Sequence, residues 1–309
     1  MRIRNSFVAV AVTAAATIPS IPAMAGPNPT PGTQKMSATN TQNLTYAAHT
    51  EAAAHLQYFG YASVLPGDKE PMAGMWRAVG RVEAQDHWGH SMDLLKMFNN
   101  DPAHDVQVAI TAYQQTVNDE KTFMAHAPKG ADLSELRAVA GRHDKNLGLL
   151  RQALSALQGK GQVPAAPKVD TVEVNKADKP KFTGTFYTKD LVGDANSALA
   201  DTAWNAAVND RVARTAVDKG QATLGQLMTG LARQEEEQNW PSLANMAGYV
   251  GGESANLKAS IAGEKGAIDM YGRFASQAGG GSAVASALKE FGEDEEGHLK
   301  AFTYELNHL

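Results

Sequence analysis

Two segments of the chain carry a carboxylate and a phenol at the same spacing. Glu51 precedes Tyr58 by seven residues, and Glu264 precedes Tyr271 by seven residues. In both segments an Asn-Leu pair begins eight residues before the Glu. Apolar residues recur every three or four positions around each Glu, so each carboxylate lies on the apolar face of a predicted helix. A carboxylate there has to be protonated, paired with a base or bound to a metal ion, because an unpaired buried charge is costly.

Each segment is followed by an acidic residue and a histidine on the next predicted helix. Glu295 precedes His298 by three residues, which places both side chains on one helical face. A Glu on one helix and a Glu-x-x-His on the next form the ligand pattern of carboxylate-bridged di-metal sites in four-helix bundles. Carboxylate and imidazole ligands suit Fe and Mn, so the sequence predicts a metal site. The predicted ligands are Glu51, Glu83, His87, Glu264, Glu295 and His298.

The histidine that accompanies Glu83 is chosen from several residues on one broad helical face. Asp86 lies at i+3, His87 at i+4 and His90 at i+7. His87 is favoured because a separation of four residues keeps the two side chains adjacent. Asp86 and His90 are the alternatives.

Other ionisable residues are assigned weaker roles. His55 follows Glu51 by one helical turn and is placed to support a ligand. The acidic run 235–237 is expected to be solvated, although Glu235 alone matches a ligand position. Surface positions are expected for the remaining histidines, which are His49, His104, His126, His143 and His308.

The composition excludes several kinds of site and partner. The chain has a formal net charge of -5, which argues against a nucleic-acid partner. It has no cysteine, which excludes thiolate-ligated zinc and iron–sulfur sites. No P-loop, dinucleotide-binding motif or nucleophile elbow is found, so no organic cofactor is expected.

The first 25 residues have the features of a secretory signal peptide. Two Arg residues precede a short apolar run, 7–18, and Ala23-Met24-Ala25 forms a cleavage site. The apolar run is too short to span a membrane, and no later stretch is long enough. We therefore predict a signal peptide over 1–25, a mature chain that starts at Gly26, and export to the periplasm or to the outside of the cell.

Eight segments of the remaining chain have helical spacing and are separated by Gly, Pro and Asn breaks. The predicted helices are 43–64, 73–98, 103–126, 134–158, 194–219, 222–247, 254–277 and 282–307. Residues 26–41 read as a flexible lead-in, and the Pro- and Gly-rich segment 159–190 reads as a linker. The short loops favour an all-α fold of two tandem four-helix bundles, residues 42–158 and 191–309.

Each tandem bundle would hold only about half of the predicted ligands. Ala203 stands at the position that matches Glu51, and Tyr113 lies near a position where a Glu is expected. The fourth helix offers only His143 and Asn146. The alternative is one complete bundle formed by the first two and last two helices, with the middle helices as a long insertion.

A weaker sequence repeat favours the tandem arrangement. Glu83-x-x-x-His87-Trp88 aligns with Glu235-x-x-x-Asn239-Trp240. This alignment indicates duplication of one helical unit, and consecutive copies most simply form consecutive bundles.

These residues resemble the ferritin-like superfamily, and most closely its rubrerythrin branch. In the C-terminal half the resemblance is carried by Ala247–Gly252, Asn256-Leu257, Ala262–Glu264, Tyr271, Phe274-Ala275 and Glu295–His298. In the N-terminal half it is carried by Asn43-Leu44, Glu51, Ala54, Tyr58, Glu83 and His87. The resemblance implies an up-down four-helix bundle with a non-haem di-iron or di-manganese centre, and either oxidation by peroxide or dioxygen or iron handling. Rubrerythrins usually carry a cysteine-containing rubredoxin domain, which this chain lacks, so the resemblance implies no built-in electron donor.

Three functions are consistent with these features. The first is an exported di-metal oxidoreductase that consumes peroxide or dioxygen, and the second is metal buffering without turnover. The third is a degenerate ferritin-like protein with a non-enzymatic binding or envelope-stress role. The pattern does not distinguish Fe from Mn as the bound metal. It also does not identify catalytic residues or the oligomeric state.

Overall fold

A computed structural model describes residues 38–127, 129–180 and 191–309. All regular structure in these residues is helical, which confirms the predicted all-α fold. The predicted signal peptide and most of the lead-in lie outside the described residues. None of the helices in the described part of the chain is both long enough and apolar enough to cross a membrane.

Eight helices in the described ranges follow the predicted boundaries closely, and two of them, α2 and α6, each contain a π-helical turn. The first four are α1, Ala38–Ser63; α2, Glu70–Val82 with the π turn Glu83–Trp88 and Gly89–Leu95; α3, Pro102–His126; and α4, Ser134–Leu157. The last four are α5, Leu191–Asp218; α6, Ala222–Gln234 with the π turn Glu235–Asn239 and Trp240–Ala247; α7, Glu253–Ala278; and α8, Ala283–Asn307. A short 3-10 turn, Gly67–Lys69, precedes α2.

Capping residues explain several helix ends. The Asp101 carboxylate accepts a hydrogen bond from the backbone N–H of Ala103 at the start of α3, at 3.2 Å. The Ser282 hydroxyl accepts one from the backbone N–H of Ala285 at the start of α8, at 3.1 Å. Helix α6 ends at Gly248, which adopts the left-handed conformation with φ 60° that favours glycine.

The helices pack in two groups of four that do not follow the order of the chain. Helices α1, α2, α7 and α8 form the first bundle, and α3, α4, α5 and α6 form the second bundle. The predicted tandem arrangement of 42–158 and 191–309 is therefore wrong. The packing is that of the alternative, in which both ends of the chain form one bundle and the four middle helices are inserted.

The prediction was wrong because a short loop requires two consecutive helices to be neighbours but does not require them to belong to the same bundle. The loop 96–101 carries the chain from α2 in the first bundle to α3 in the second bundle, since the two bundles lie side by side. Trp88 in α2 and Trp204 in α5 make an edge-to-face contact across the junction, with ring centroids 5.9 Å apart. One apolar core runs through both bundles, so they are not separate domains on a tether.

The described part of the predicted linker, residues 159–180, is extended and packs along α6. The backbone N–H of Val172 donates to the Glu237 carbonyl, at 2.8 Å, and the Asn245 side chain donates to the Glu173 carbonyl, at 2.8 Å. This segment is thus fixed to the second bundle instead of hanging free. Residues 181–190, the rest of the predicted linker, lie outside the described residues.

A substitution at the junction of the bundles tests this packing. A methyl group on Gly60 of α1 would overlap the ring of Trp240 in α6, and that ring is almost fully buried. We expect Gly60→Ala to lower the free energy of unfolding by about 1–3 kcal/mol, because overpacking outweighs the helical preference for Ala.

Gly74→Ala is the matched control, because Gly74 is also helical and nothing lies within 4 Å of the added methyl group. We expect this variant to gain roughly 0.5–1 kcal/mol. Chemical denaturation measures both values. Equal stability of the two variants would contradict the contact between α1 and α6.

Candidate metal centre

Two reciprocal hydrogen bonds join α1 to α7 in the core of the first bundle. The Tyr58 hydroxyl donates to Glu264, and the Tyr271 hydroxyl donates to Glu51 at 2.5 Å. All four side chains are fully buried. Because the later residue of one helix meets the earlier residue of the other, the helices are antiparallel and the two repeated segments are related by an approximate twofold axis.

Helices α2 and α8 bring together the remaining predicted ligands in the same reciprocal way. His87 Nδ1 lies 2.9 Å from Glu83 Oε2 and 3.8 Å from Glu295 Oε1. His298 Nδ1 lies 2.9 Å from Glu295 Oε2 and 3.5 Å from Glu83 Oε1. Each imidazole therefore faces one carboxylate of its own helix and one of the facing helix.

The six predicted ligands form two overlapping groups in which the ligand atoms lie within 4.8 Å of one another. One group is Glu51, Glu83, His87 and Glu295, and the other is Glu83, Glu264, Glu295 and His298. Glu83 and Glu295 belong to both groups, so each is placed to bridge two ions. Each ion position is completed by one histidine and one unshared Glu.

The π turn in α2 explains why the two Glu-to-His spacings differ. A π turn bonds residue i to residue i+5 and holds one more residue than an α-helical turn. Within the turn Glu83–Trp88, His87 at i+4 thus faces the centre as His298 does at i+3 in the regular helix α8. Asp86 and His90, the alternatives to His87, are exposed and lie outside both groups.

The buried charges perturb one another strongly. Burial, together with the charges of Glu264 and Glu83, raises the pKa of Glu295 well above its usual range. Burial opposes protonation of His87, but its hydrogen bond with Glu83 and the charges of Glu83 and Glu51 outweigh burial and raise its pKa to about 9. Without a metal, protons must compensate the carboxylates, and two divalent cations would neutralise all four and displace those protons.

The sequence did not identify one further carboxylate at the centre. Asp294 Oδ2 lies 3.3 Å from His87 Nε2, the ring nitrogen that points away from the carboxylate cluster. A carboxylate at this position orients a metal-binding histidine and selects its tautomer. The only available signal was its place beside Glu295 in an acidic run.

Two other histidines, His55 and His49, have surroundings that differ from those predicted. His55 was expected to support a ligand, but its Nδ1 lies 2.8 Å from the carbonyl oxygen of Gly80. His49 was expected at the surface, but it is stacked on Trp204 with ring centroids 4.0 Å apart. Burial lowers the pKa of His49 to about 4, so this imidazole is neutral.

A second polar cluster lies in the core of the second bundle. His143 Nδ1 lies 2.7 Å from Glu120 and its Nε2 lies 2.8 Å from Glu235, while the Tyr113 hydroxyl donates to Glu235 at 2.6 Å. The surface position predicted for His143 and the solvated position predicted for Glu235 are wrong, since both residues are fully buried. Glu120 was missed, although Tyr113-x6-Glu120 is the spacing of Glu264–Tyr271 with the residue types reversed.

Comparison with protein-family models, with curated proteins and with solved structures finds no match. The assignment of a metal centre therefore rests on the convergence of its side chains and on the resemblance of those residues to the rubrerythrin branch.

The stability of the metal-free protein should fall as the pH rises from 6 to 9. His87 contributes stability that is fully present below its ordinary pKa of 6.5 and is lost as the pH rises through about 9. The raised pKa of Glu295 acts with the same sign from its ordinary value of 4.5 upward. Thermal unfolding of chelator-treated protein across this range measures the effect.

The variant Glu295→Gln separates the contribution of the buried cluster to the pH dependence of stability from that of titratable groups on the surface. It removes one buried charge, so we expect the free energy of unfolding of metal-free protein at pH 8 to rise by roughly 1–3 kcal/mol. If the variant were less stable than the wild-type protein at pH 8, Glu295 would not be destabilised by repulsion from neighbouring carboxylates.

Proposed function

We propose that the first bundle is a ferritin-like di-metal centre that binds two Fe or Mn ions. The observation that carries the proposal is the convergence of four fully buried carboxylates and two imidazoles from four helices, with two carboxylates shared. Two divalent cations balance the charge of four carboxylates, whereas no lysine or arginine is among the buried residues of the described part of the chain.

The donor set supports Fe or Mn as the bound metal. It consists of carboxylate oxygens and imidazole nitrogens and contains no thiolate, because the chain has no cysteine. Such sets hold Fe and Mn in carboxylate-bridged pairs, while thiolate-rich sets select zinc, copper or iron–sulfur clusters.

We also propose that the centre reduces peroxide or dioxygen. If the six side chains hold two Fe(II) or Mn(II) ions, the pair would supply the two electrons that, together with two protons from solvent, convert hydrogen peroxide to two waters. Tyr58 and Tyr271 hold the unshared carboxylates in place, and burial raises the pKa of Tyr271 well above its usual value, so this phenol keeps its proton. The chain supplies no cysteine for electron delivery, so the proposal requires an external reductant.

His298 is the most exposed of the six predicted ligands. Its side chain is 13% exposed, whereas those of His87, Glu83 and Glu295 are fully buried. This side of the centre is therefore where a small oxidant would arrive. If the predicted signal peptide is used, the reaction takes place outside the cytoplasm.

Anaerobic reconstitution tests the proposed function. Metal-free protein is loaded with Fe(II) or Mn(II), the ion content per chain is measured, and hydrogen peroxide is added while its loss is followed. Two ions per chain with peroxide consumption support the oxidoreductase. Two ions without consumption would indicate metal buffering, and no bound metal would leave a non-enzymatic role.

Substitution of shared and unshared carboxylates tests how the two positions are built. We expect Glu83→Gln to abolish binding of both ions, because Glu83 belongs to both groups. Glu264→Gln, which affects one group, should leave about one ion per chain.

Asp86→Asn is the matched control, since Asp86 shares the π turn of Glu83 but is exposed. This variant should keep the wild-type ion content, measured by elemental analysis after gel filtration. Equal losses in all three variants would mean that the losses reflect unfolding instead of ligand removal.

A further inference from the structure

The second bundle repeats the plan of the first bundle in the spacing of its central positions. Four pairs of corresponding residues are separated by the same number of positions along the chain: Glu83 and Glu235, His87 and Asn239, His143 and Glu295, and Asn146 and His298. The π turns also correspond, Glu83–Trp88 in α2 and Glu235–Asn239 in α6. The chain is therefore a duplicated four-helix unit whose two copies exchange helix pairs, so that each bundle takes two helices from each copy.

The helices of the second bundle meet in the same way as those of the first. Asn209 donates to the Tyr113 hydroxyl at 2.7 Å and Asn205 donates to the Thr116 hydroxyl at 3.0 Å, so α3 and α5 are antiparallel, as α7 and α1 are. Contacts of Asn146 and His143 with α6 make α4 and α6 antiparallel, as α8 and α2 are. The polar cluster of the second bundle thus occupies the place of the metal centre.

Residues that cannot ligate a metal in the same way fill most of the corresponding positions. Ala203 replaces a carboxylate, and Asn239 and Asn146 replace the two histidines. The Asn239 amide donates to Glu235 Oε2 at 2.8 Å and so occupies a carboxylate oxygen that a metal would need. Among the described residues, both groups with suitably close ligand atoms lie in the first bundle.

The remaining charges of the second cluster balance without a metal ion. His143 contacts one carboxylate with each ring nitrogen, Glu120 at 2.7 Å and Glu235 at 2.8 Å, and Asn239 Nδ2 lies 3.2 Å from the same Nε2. An imidazolium fits this arrangement, because it donates from both nitrogens to two ionised carboxylates. Arg142 donates to Asn239 at 2.5 Å and supplies a second positive charge beside Glu235. Two cations therefore face two carboxylates.

A third buried acid, Asp201, lies near this cluster. Burial, together with the charges of Asp119 and Glu120, raises its pKa well above the usual range. Burial opposes protonation of His143, but Glu120 and Glu235 outweigh it and raise the pKa of that imidazole well above 6.5.

We propose that the second bundle is a former metal centre in which the protonated imidazole of His143, bound between Glu120 and Glu235, takes the place of the metal ions. This bundle binds no metal and keeps its fold when the first bundle is empty. The protein can then take up and release metal without unfolding. The expected ion count rests on the proposed function of the first bundle, whereas the charge of His143 does not.

The state of His143 is measured directly in metal-free wild-type protein. Nitrogen-15 NMR of the histidine rings distinguishes an imidazolium, with two protonated nitrogens, from a neutral ring. The His143 signal is assigned through its contact with the Tyr113 ring, with centroids 5.8 Å apart. We expect an imidazolium from pH 6 to 8, and a neutral ring at pH 7 would overturn the proposal. The ionisable groups that face His143 are Tyr113 and Glu120 from α3, Asp201 from α5 and Glu235 from α6, and Arg142 precedes it in α4.

Hydrogen exchange tests whether the second bundle is independent of metal. Removal of metal should raise amide exchange in α2, α7 and α8 by tenfold or more and leave α3, α4 and α6 within about twofold of the metal-loaded protein. Equal deprotection of both bundles would overturn the proposal.

A matched pair of variants at corresponding π-turn positions tests the ion count. Glu235→Gln should keep the wild-type metal content, and Glu83→Gln should lose it. Loss of metal in Glu235→Gln with the bundle still folded by hydrogen exchange would show that the second cluster binds an ion. If the wild-type protein binds no metal, the proposed function fails, and the NMR measurement still decides the charge of His143.

Discussion

Four carboxylates buried in the core of the first bundle impose the constraint on which this fold depends. Carboxylates transferred from water into a protein core need positive charge nearby, and the two histidines of the centre can supply at most half of it. The antiparallel contacts of α1 with α7 and of α2 with α8 bring all four together and hold two of them through buried tyrosines. The proposed metal ions would supply the positive charge that such a core needs.

The two bundles show two solutions to the same electrostatic problem. In the first bundle four carboxylates meet two imidazoles, so the balance of charge must come from bound protons or, as we propose, from divalent ions. In the second bundle His143 and Arg142 match Glu120 and Glu235, so the core is balanced by side chains alone. The two bundles share the helical frame and differ in the polar residues at its centre.

Local sequence was sufficient to predict the helices and to select six side chains that the structure brings together. Periodicity and breaks fixed the helix ends to within a few residues, and repeated Glu, Tyr and His spacings identified side chains that the structure brings together. The pairing of helices was not predictable from loop length, because a short loop such as 96–101 can join neighbouring helices of different bundles. Charge balance distinguishes the two arrangements. Tandem bundles would each hold half of the ligands and would leave buried carboxylates without partners.

The polar cluster of the second bundle was missed for a different reason. His143 and Glu120 each lie alone in their helices, so neither has a local motif, and their role depends on contacts between helices. The correspondence of Tyr113-x6-Glu120 with the reversed order in Glu264–Tyr271 was present in the sequence. It becomes informative only once the exchange of helix pairs is known.

Electron paramagnetic resonance of the Mn(II)-loaded protein tests the central claim most directly. Ions that share the carboxylates of Glu83 and Glu295 lie a few ångströms apart, and their spins must couple. The account predicts the spectrum of an exchange-coupled manganese pair with two ions per chain, lost in Glu83→Gln. A spectrum of isolated Mn(II) ions at full occupancy would contradict a shared centre built from both ends of the chain.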